Sequence, residues 1–363
     1  MNAPYFGTHP AGKALTGFFA TALRSRVVVA TAIATVAALT AAAAITIDSR
    51  YLAQGAGTAF WPRNAIDDYA FASTAAQRVG AIAQGRPTMV LVGTAAMREG
   101  LLPAGDIEHR LRQRLGREMP VVNLSTGGQS PLEAAGLIFE AAPQAKGTLV
   151  LAVSPSRMSA SGGELQKLLD HPRLAFMNDG IRREAEALGL KVPAQRGVYL
   201  LDNLQFYVVR APSFVANLLT GTKPVNDEQT YLGRGHQDAE EWDKDTRILA
   251  QRLSGYDRNF TANIAPYRRI VRWIKDNHLP WNVVLLEIPL NPRALAEATG
   301  PDFYPAHIAN MRKFCAEEGC TYVNSNPRKL LAEEHFFDWS HLSSQRGKEI
   351  FTDAFLDDIA ETL

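Results

Sequence analysis

The sequence predicts an α/β domain built on an open, all-parallel sheet of five strands with helices on both faces. Three observations predict it. Five short apolar runs, at residues 88–92, 121–124, 147–153, 283–288 and 321–324, recur along the chain. Such uninterrupted runs suit strands buried on both faces, and the helical patterns between them supply the crossovers that parallel pairing requires. Small or polar residues, Gly93, Gly127-Gly128, Ser154 and Asn291, stand just after the runs. In open parallel sheets, sites form at that edge, beyond the C-terminal strand ends.

Taken in order, the first element is residues 27–47, VVVATAIATVAALTAAAAITI, which carry no charge. At about 1.5 Å per residue this helix is long enough to cross a bilayer, and it exceeds a cleaved signal core of roughly 7–15 residues. Lys13, Arg24 and Arg26 precede it, so residues 1–26 are expected in the cytoplasm and everything from Asp48 on the far side of the inner membrane, in a single-pass arrangement. Residues 48–87 read as a connector containing a helix over 66–83. The strand at 88–92 (TMVLV) ends at Gly93, and helical polarity follows over 106–115. After the strand at 121–124, Ser130-Pro131 opens a helix with a cap residue and a proline at its first position. The third strand (GTLVLAV) leads into a mostly helical insertion, residues 155–280, with a polar looped section at 222–243.

Within that insertion, residues 198–219 are strongly apolar, but Asp202, Arg210 and Pro212 interrupt them, which argues against a second span. Residues 264–275 place Ile264, Tyr267, Val271 and Ile274 on one helical face, a core stripe with Arg268, Arg269, Arg272 and Lys275 mostly elsewhere. The fourth strand (VVLLEI) closes at Pro289. A helix over 307–318 ends at Gly319, the fifth strand follows, and residues 346–363 form the last helix.

Composition excludes several function classes. The 363 residues hold 38 Lys and Arg against 37 Asp and Glu, a formal charge of +1, so no basic surplus argues for nucleic acid. A charged fraction of 21% with 46% hydrophobic residues belongs to a folded protein. Cys315 and Cys320 have neither metal-ligand company nor redox spacing; a local disulfide in an oxidising compartment and two thiols both stay open. No histidine pairing of the HExxH kind occurs, and no metal or cofactor is expected. Gly233-Arg234-Gly235-His236 is too short for a phosphate loop.

The chemistry concentrates in two segments. Asp338-Trp339-Ser340-His341, after the last strand, places a carboxylate three residues before an imidazole. That pair can supply a general base and the group that orients it. Gly93-Thr94-Ala95 follows the first strand, where a nucleophile would stand at the sheet edge.

The run Met89–Gly100 resembles the first block of the SGNH (GDSL-like) hydrolases, in which an apolar strand ends in a glycine turn carrying serine. It is similar, more narrowly, to the G-S-S version found in membrane-anchored envelope acyltransferases of alginate acetylation and teichoic-acid D-alanylation. Asn123–Ser130 resembles the second block and Asp338/His341 the last, so the resemblance covers most of residues 88–155 and 281–345. It implies a flavodoxin-like three-layer sandwich (SGNH hydrolase fold) with a helical insertion and one N-terminal transmembrane helix. It further implies catalytic roles at Ala95 (the nucleophile position), His341 and Asp338, and oxyanion or substrate contacts at Gly128, Thr94 and Arg98. An exposed arginine on a helix face is the alternative for Arg98. A glycan substrate and a polytopic membrane O-acyltransferase partner (MBOAT-type) are implied as well.

Two positions depart from that pattern. Ala95 stands where the serine belongs, and a methyl group cannot attack a carbonyl. Ser154 stands where the third block has asparagine. An introduced serine-to-alanine change, a naturally inactive binding or assembly subunit, and Thr94 as a substitute nucleophile are the three explanations of Ala95. The expected function is extracytoplasmic O-acyl transfer or ester hydrolysis on an envelope polysaccharide. The rivals are a non-catalytic subunit of an acylation or export complex and a plain anchored esterase.

Overall fold

The computed structural model describes residues 26–48, 68–160, 162–220 and 231–363. The chain divides into two compact units, Met1–Asp48 with Arg196–Asp202, and Ser49–Gln195 with Asn203–Leu363. In the first unit, helix α1 (Arg26–Thr46) is 21 residues long, has no charged residue after Arg26 and has no buried residue. It is long and apolar enough to span a bilayer core.

The second unit carries the sheet. Its elements begin with α2 (Asp68–Gln77), α3 (Val79–Ala83), β1 (Pro87–Val92), α4 (Ala95–Gly100), α5 (Ala104–Leu115), β2 (Val121–Asn123), α6 (Pro131–Ala141) and β3 (Lys146–Val153). The insertion contributes α7 (Pro155–Met158), α8 (Gly162–Asp170), α9 (Asp179–Ala187), α11 (Leu204–Thr220), α12 (Ala239–Leu253) and α13 (Tyr256–Asp276). Helix α10 (Tyr199–Asp202) belongs to the first unit, where Arg196 and Gly197 N–H groups both donate to the Asp202 carboxylate. The chain closes with β4 (Trp281–Glu287), α14 (Pro292–Ala298), α15 (Phe303–Glu318), β5 (Thr321–Val323) and α16 (Gln345–Ile359).

All five strands pair in parallel in the order β2-β1-β3-β4-β5. This is the flavodoxin-like, doubly wound order, whose reversal falls between β1 and β3. The expected fold class is therefore what the chain forms. Alternation along each strand divides the core. Val90, Val92, Leu149, Leu151 and Leu285 face α2, α6 and α13, while Met89, Leu91, Val150, Val284 and Leu286 face α4, α5 and α16. The stripe Ile264, Tyr267, Val271 and Ile274 of α13 is buried on the first of these faces, as its spacing predicts.

Several boundaries differ from expectation, each for a local reason. The helix expected over 66–83 breaks at Arg78 into α2 and α3, and residues 66–67 lie outside the described residues. Residues 68–83, expected within a connector, pack Ala72, Ala75, Ala76 and Val79 into the core and so belong to the domain. The looped section expected at 222–243 ends earlier, because Asp238 caps α12 by accepting from the Glu241 N–H, with Glu240 and Glu241 in the first turn. Residues 221–230 of that section lie outside the described residues. Ser130 forms the full capping box with Glu133 at the head of α6. Cys315 and Cys320, left open by the sequence, are joined in a disulfide.

Candidate active site

Four hydrogen bonds build the Asp338–His341 turn. One carboxylate oxygen of Asp338 accepts the N–H groups of Ser340 and His341, both at 2.8 Å. The other oxygen takes Nδ1 of His341 at 2.7 Å. The Phe337 N–H donates to the His341 carbonyl at 2.8 Å, and Phe336 and Leu342 form an antiparallel bridge beneath. Burial alone would raise the Asp338 carboxyl, but the His341 hydrogen bond and charge, with the two N–H groups, outweigh it and hold it below the ordinary value. With Nδ1 donating to a carboxylate, the neutral imidazole carries its lone pair on Nε2, the tautomer a general base needs.

The Ala95 turn is held by packing. A Cβ at Gly93 would collide with that of Ala152 and lie 2.7 Å from the Met97 sulfur, so only glycine lets α4 turn this tightly off β1. Thr94 takes the N-cap position of α4 in extended backbone, without a side-chain cap bond, and both Thr94 and Ala95 are half-buried. Gly128 is exposed at φ +61°, with only Arg173 Nη1 within 4.0 Å of a Cβ there, so its glycine answers the backbone angle and not a lack of room.

The Gly127–Gly128 loop is clamped by residues that the sequence reading missed. Asp68 of α2 accepts the Gly127 N–H at 2.9 Å, and the Tyr69 hydroxyl donates to the Gly127 carbonyl at 2.6 Å. Arg173 reaches the Gly128 carbonyl at 3.0 Å while paired with Glu133 and lying over the Tyr69 ring. Burial first, with Glu133 second, pushes the Tyr69 phenol far above its ordinary value, so it stays a donor. Nothing in the sequence marks Asp68, Tyr69 or Arg173, because each contact crosses at least 40 residues.

Arg98 corrects the sequence reading. It is neither an exposed helix-face arginine nor open to an anion; it is 4% exposed and ion-paired with Asp68 and Glu99, the latter at 3.2 Å. Glu99 in turn pairs with buried Lys348 of α16 at 3.5 Å. Helix α4 is tucked between the β4 end and α16, where a Cβ on Gly100 would press on Pro289 and touch Phe351. Solvent cannot reach Arg98 there, so its charge is balanced internally.

At the third strand end, Ser154 caps α7 through the Arg157 N–H and lies 3.1 Å from the Ser156 hydroxyl. Asn291, after β4, caps α14 with its side-chain oxygen, and its N–H donates to the Trp339 carbonyl at 2.9 Å. That bond ties the Asp338–His341 turn to the end of β4. Because every strand runs the same way, Gly93–Ala95, Gly127–Gly128, Ser154 and Asn291 all lie beyond C-terminal strand ends, and the Asn291–Trp339 bond brings the Asp338–His341 turn to that edge. Tyr231 stands beside the last of these segments, its ring stacked on His341. Its hydroxyl is raised first by burial, then by Asp338 and Glu99, with Arg234 and Arg98 opposing.

The chain matches no protein-family profile and no curated protein. Among solved structures it is similar to a lipase from a goat rumen metagenome, at 11% identity over 75% of this chain and 97% of that one, with a TM-score of 0.38. It is also similar to a lipase/acylhydrolase from Enterococcus faecalis, at 10% identity over 76% and 97% of the two chains, with a TM-score of 0.36.

Proposed function

We propose that this chain is an SGNH-type O-acyltransferase or esterase of the cell envelope, written with alanine where the nucleophile stands. The observation that carries the reading is the Asp338–His341 pair, oriented by a 2.7 Å bond and two backbone N–H groups, at the same sheet edge as the Ala95 turn. In the serine form, the hydroxyl oxygen attacks the acyl carbonyl as its proton passes to His341 Nε2. The tetrahedral oxyanion is held by N–H groups near position 95 and at Gly128. The imidazolium then returns the proton to the departing oxygen, leaving an acyl-enzyme. Attack by a glycan hydroxyl or by water, deprotonated at the same nitrogen, releases the acyl group and restores the serine. Asp338 stabilises the imidazolium at both stages. Helix α1 would tether the domain to the inner membrane from the periplasmic side, next to a polytopic acyltransferase that hands acyl groups across.

The test is gain of function. Ala95→Ser should hydrolyse an activated acetyl ester and be labelled by a serine-directed phosphonate, neither of which the alanine chain does. A folded Ala95→Ser protein inert to both sinks the enzymatic reading. A second reading is favoured by Ala95 itself: a binding or assembly subunit that keeps the fold without the reaction. Alanine at codon 95 of the source gene, with glycan binding by the unaltered chain, would support it.

A further inference from the structure

The helical insertion sends a segment back across the candidate base. Tyr231 stacks on His341, with ring centroids 4.3 Å apart and planes inclined by 19°. The same ring meets Phe337 at 5.3 Å, and the Arg234 guanidinium lies 5.1 Å from its centre. Two backbone bonds pin the segment to the turn that carries His341. The Gly233 N–H donates to the Ser343 carbonyl at 2.8 Å, and the Gln237 N–H to the Phe337 carbonyl at 3.4 Å. Gln237 is held from the far end by Asp245 of α12 at 2.7 Å.

We propose that residues 231–238 form a strap over the Asp338–His341 turn, and that Tyr231 is the positioning residue that fixes the plane of the His341 imidazole. Among the described residues Asp338 is the hydrogen-bond partner of Nδ1, and that one bond still lets the ring swing about Cβ–Cγ. A stacked face removes the swing, so Nε2 keeps one bearing. Stacking on an aromatic face also favours the imidazolium that forms during transfer. The Tyr231 ring does this, and its hydroxyl is not required. The inference rests on the proposed role of His341, but its structural part can be read without any activity.

The test uses the full chain with 13C-labelled histidine, the His341 resonance being identified by its loss in His341→Gln. In the unaltered chain the Cε1 proton should lie upfield, in the ring current of Tyr231. Tyr231→Phe should keep that shift and Tyr231→Ala should lose it. An unmoved resonance in Tyr231→Ala overturns the strap whatever the activity proves to be. In an Ala95→Ser background that turns over ester, Tyr231→Ala should lower kcat at least about tenfold with KM within twofold, and Tyr231→Phe should restore it. A flat kcat overturns the positioning role. If Ala95→Ser is inert, the enzymatic reading falls, and the resonance alone decides the strap.

Discussion

Asp338 has both carboxylate oxygens committed within its own turn, one to two backbone N–H groups and one to His341. That double commitment has a consequence for stability as well as for chemistry. A carboxyl held below its unfolded value of about 3.9 stabilises the fold above that pH, and the contribution is lost as pH falls through the folded value. Asp338→Asn should therefore unfold more easily than the unaltered chain at pH 7, and the gap should begin to narrow only below about pH 4 and close as the pH falls through the lower folded value; a gap that stays constant from pH 7 down through that range in thermal melts would contradict the assignment. In an Ala95→Ser background the same change should lower kcat by roughly 10²–10⁴-fold with KM little altered. The Asp338/His341 pair was legible in the sequence because both partners sit in one turn. The burial of Arg98 was not, since its partner Asp68 lies in another element and a non-local ion pair leaves no local pattern.

At the scale of elements, α2 does more than fill the sheet face. Asp68 at its first residue accepts from Gly127 and neutralises Arg98, so a single carboxylate joins the second strand's loop to the helix that follows β1. Removing one member of a buried pair leaves the other charge uncompensated, at a cost of about 3–5 kcal/mol. Asp68→Ala should lower stability by about 3 kcal/mol in denaturant titration, whereas an exposed change such as Glu240→Ala should stay within about 0.5 kcal/mol. A small loss in Asp68→Ala would mean that Glu99 balances Arg98 unaided. The strands were readable from their apolar runs, and the helix caps at Ser130 and Gly319 from single residues with a defined backbone role. Helix α2 was misplaced into a connector because its alanine-rich pattern has little contrast between faces. The strap was missed because residues 231–238 are polar and have no periodicity to read.

For the whole molecule, α11 carries the most exposed large apolar side chains among the described residues outside α1, with Val208, Val209 and Leu219 at 59%, 68% and 81% exposure. If the chain works with a polytopic membrane partner, this helix is where contact is expected. A Val208→Glu, Val209→Lys double change should abolish recovery of that partner in a pull-down with the full chain while leaving the melting temperature unchanged. Unchanged recovery would favour the independent esterase. The disulfide between Cys315 and Cys320 serves a different purpose from any of these contacts. The ring it closes is so short that it restrains little of the unfolded chain, contributing about 2 kcal/mol at most by chain entropy. Its worth to the experimenter is as a compartment record. Such a bond persists where the surroundings are oxidising and is undone where glutathione and thioredoxin keep thiols reduced. Blocking thiols in intact cells, then reducing and weighing the chain, reads from its own two sulfurs on which side of the membrane the domain came to rest.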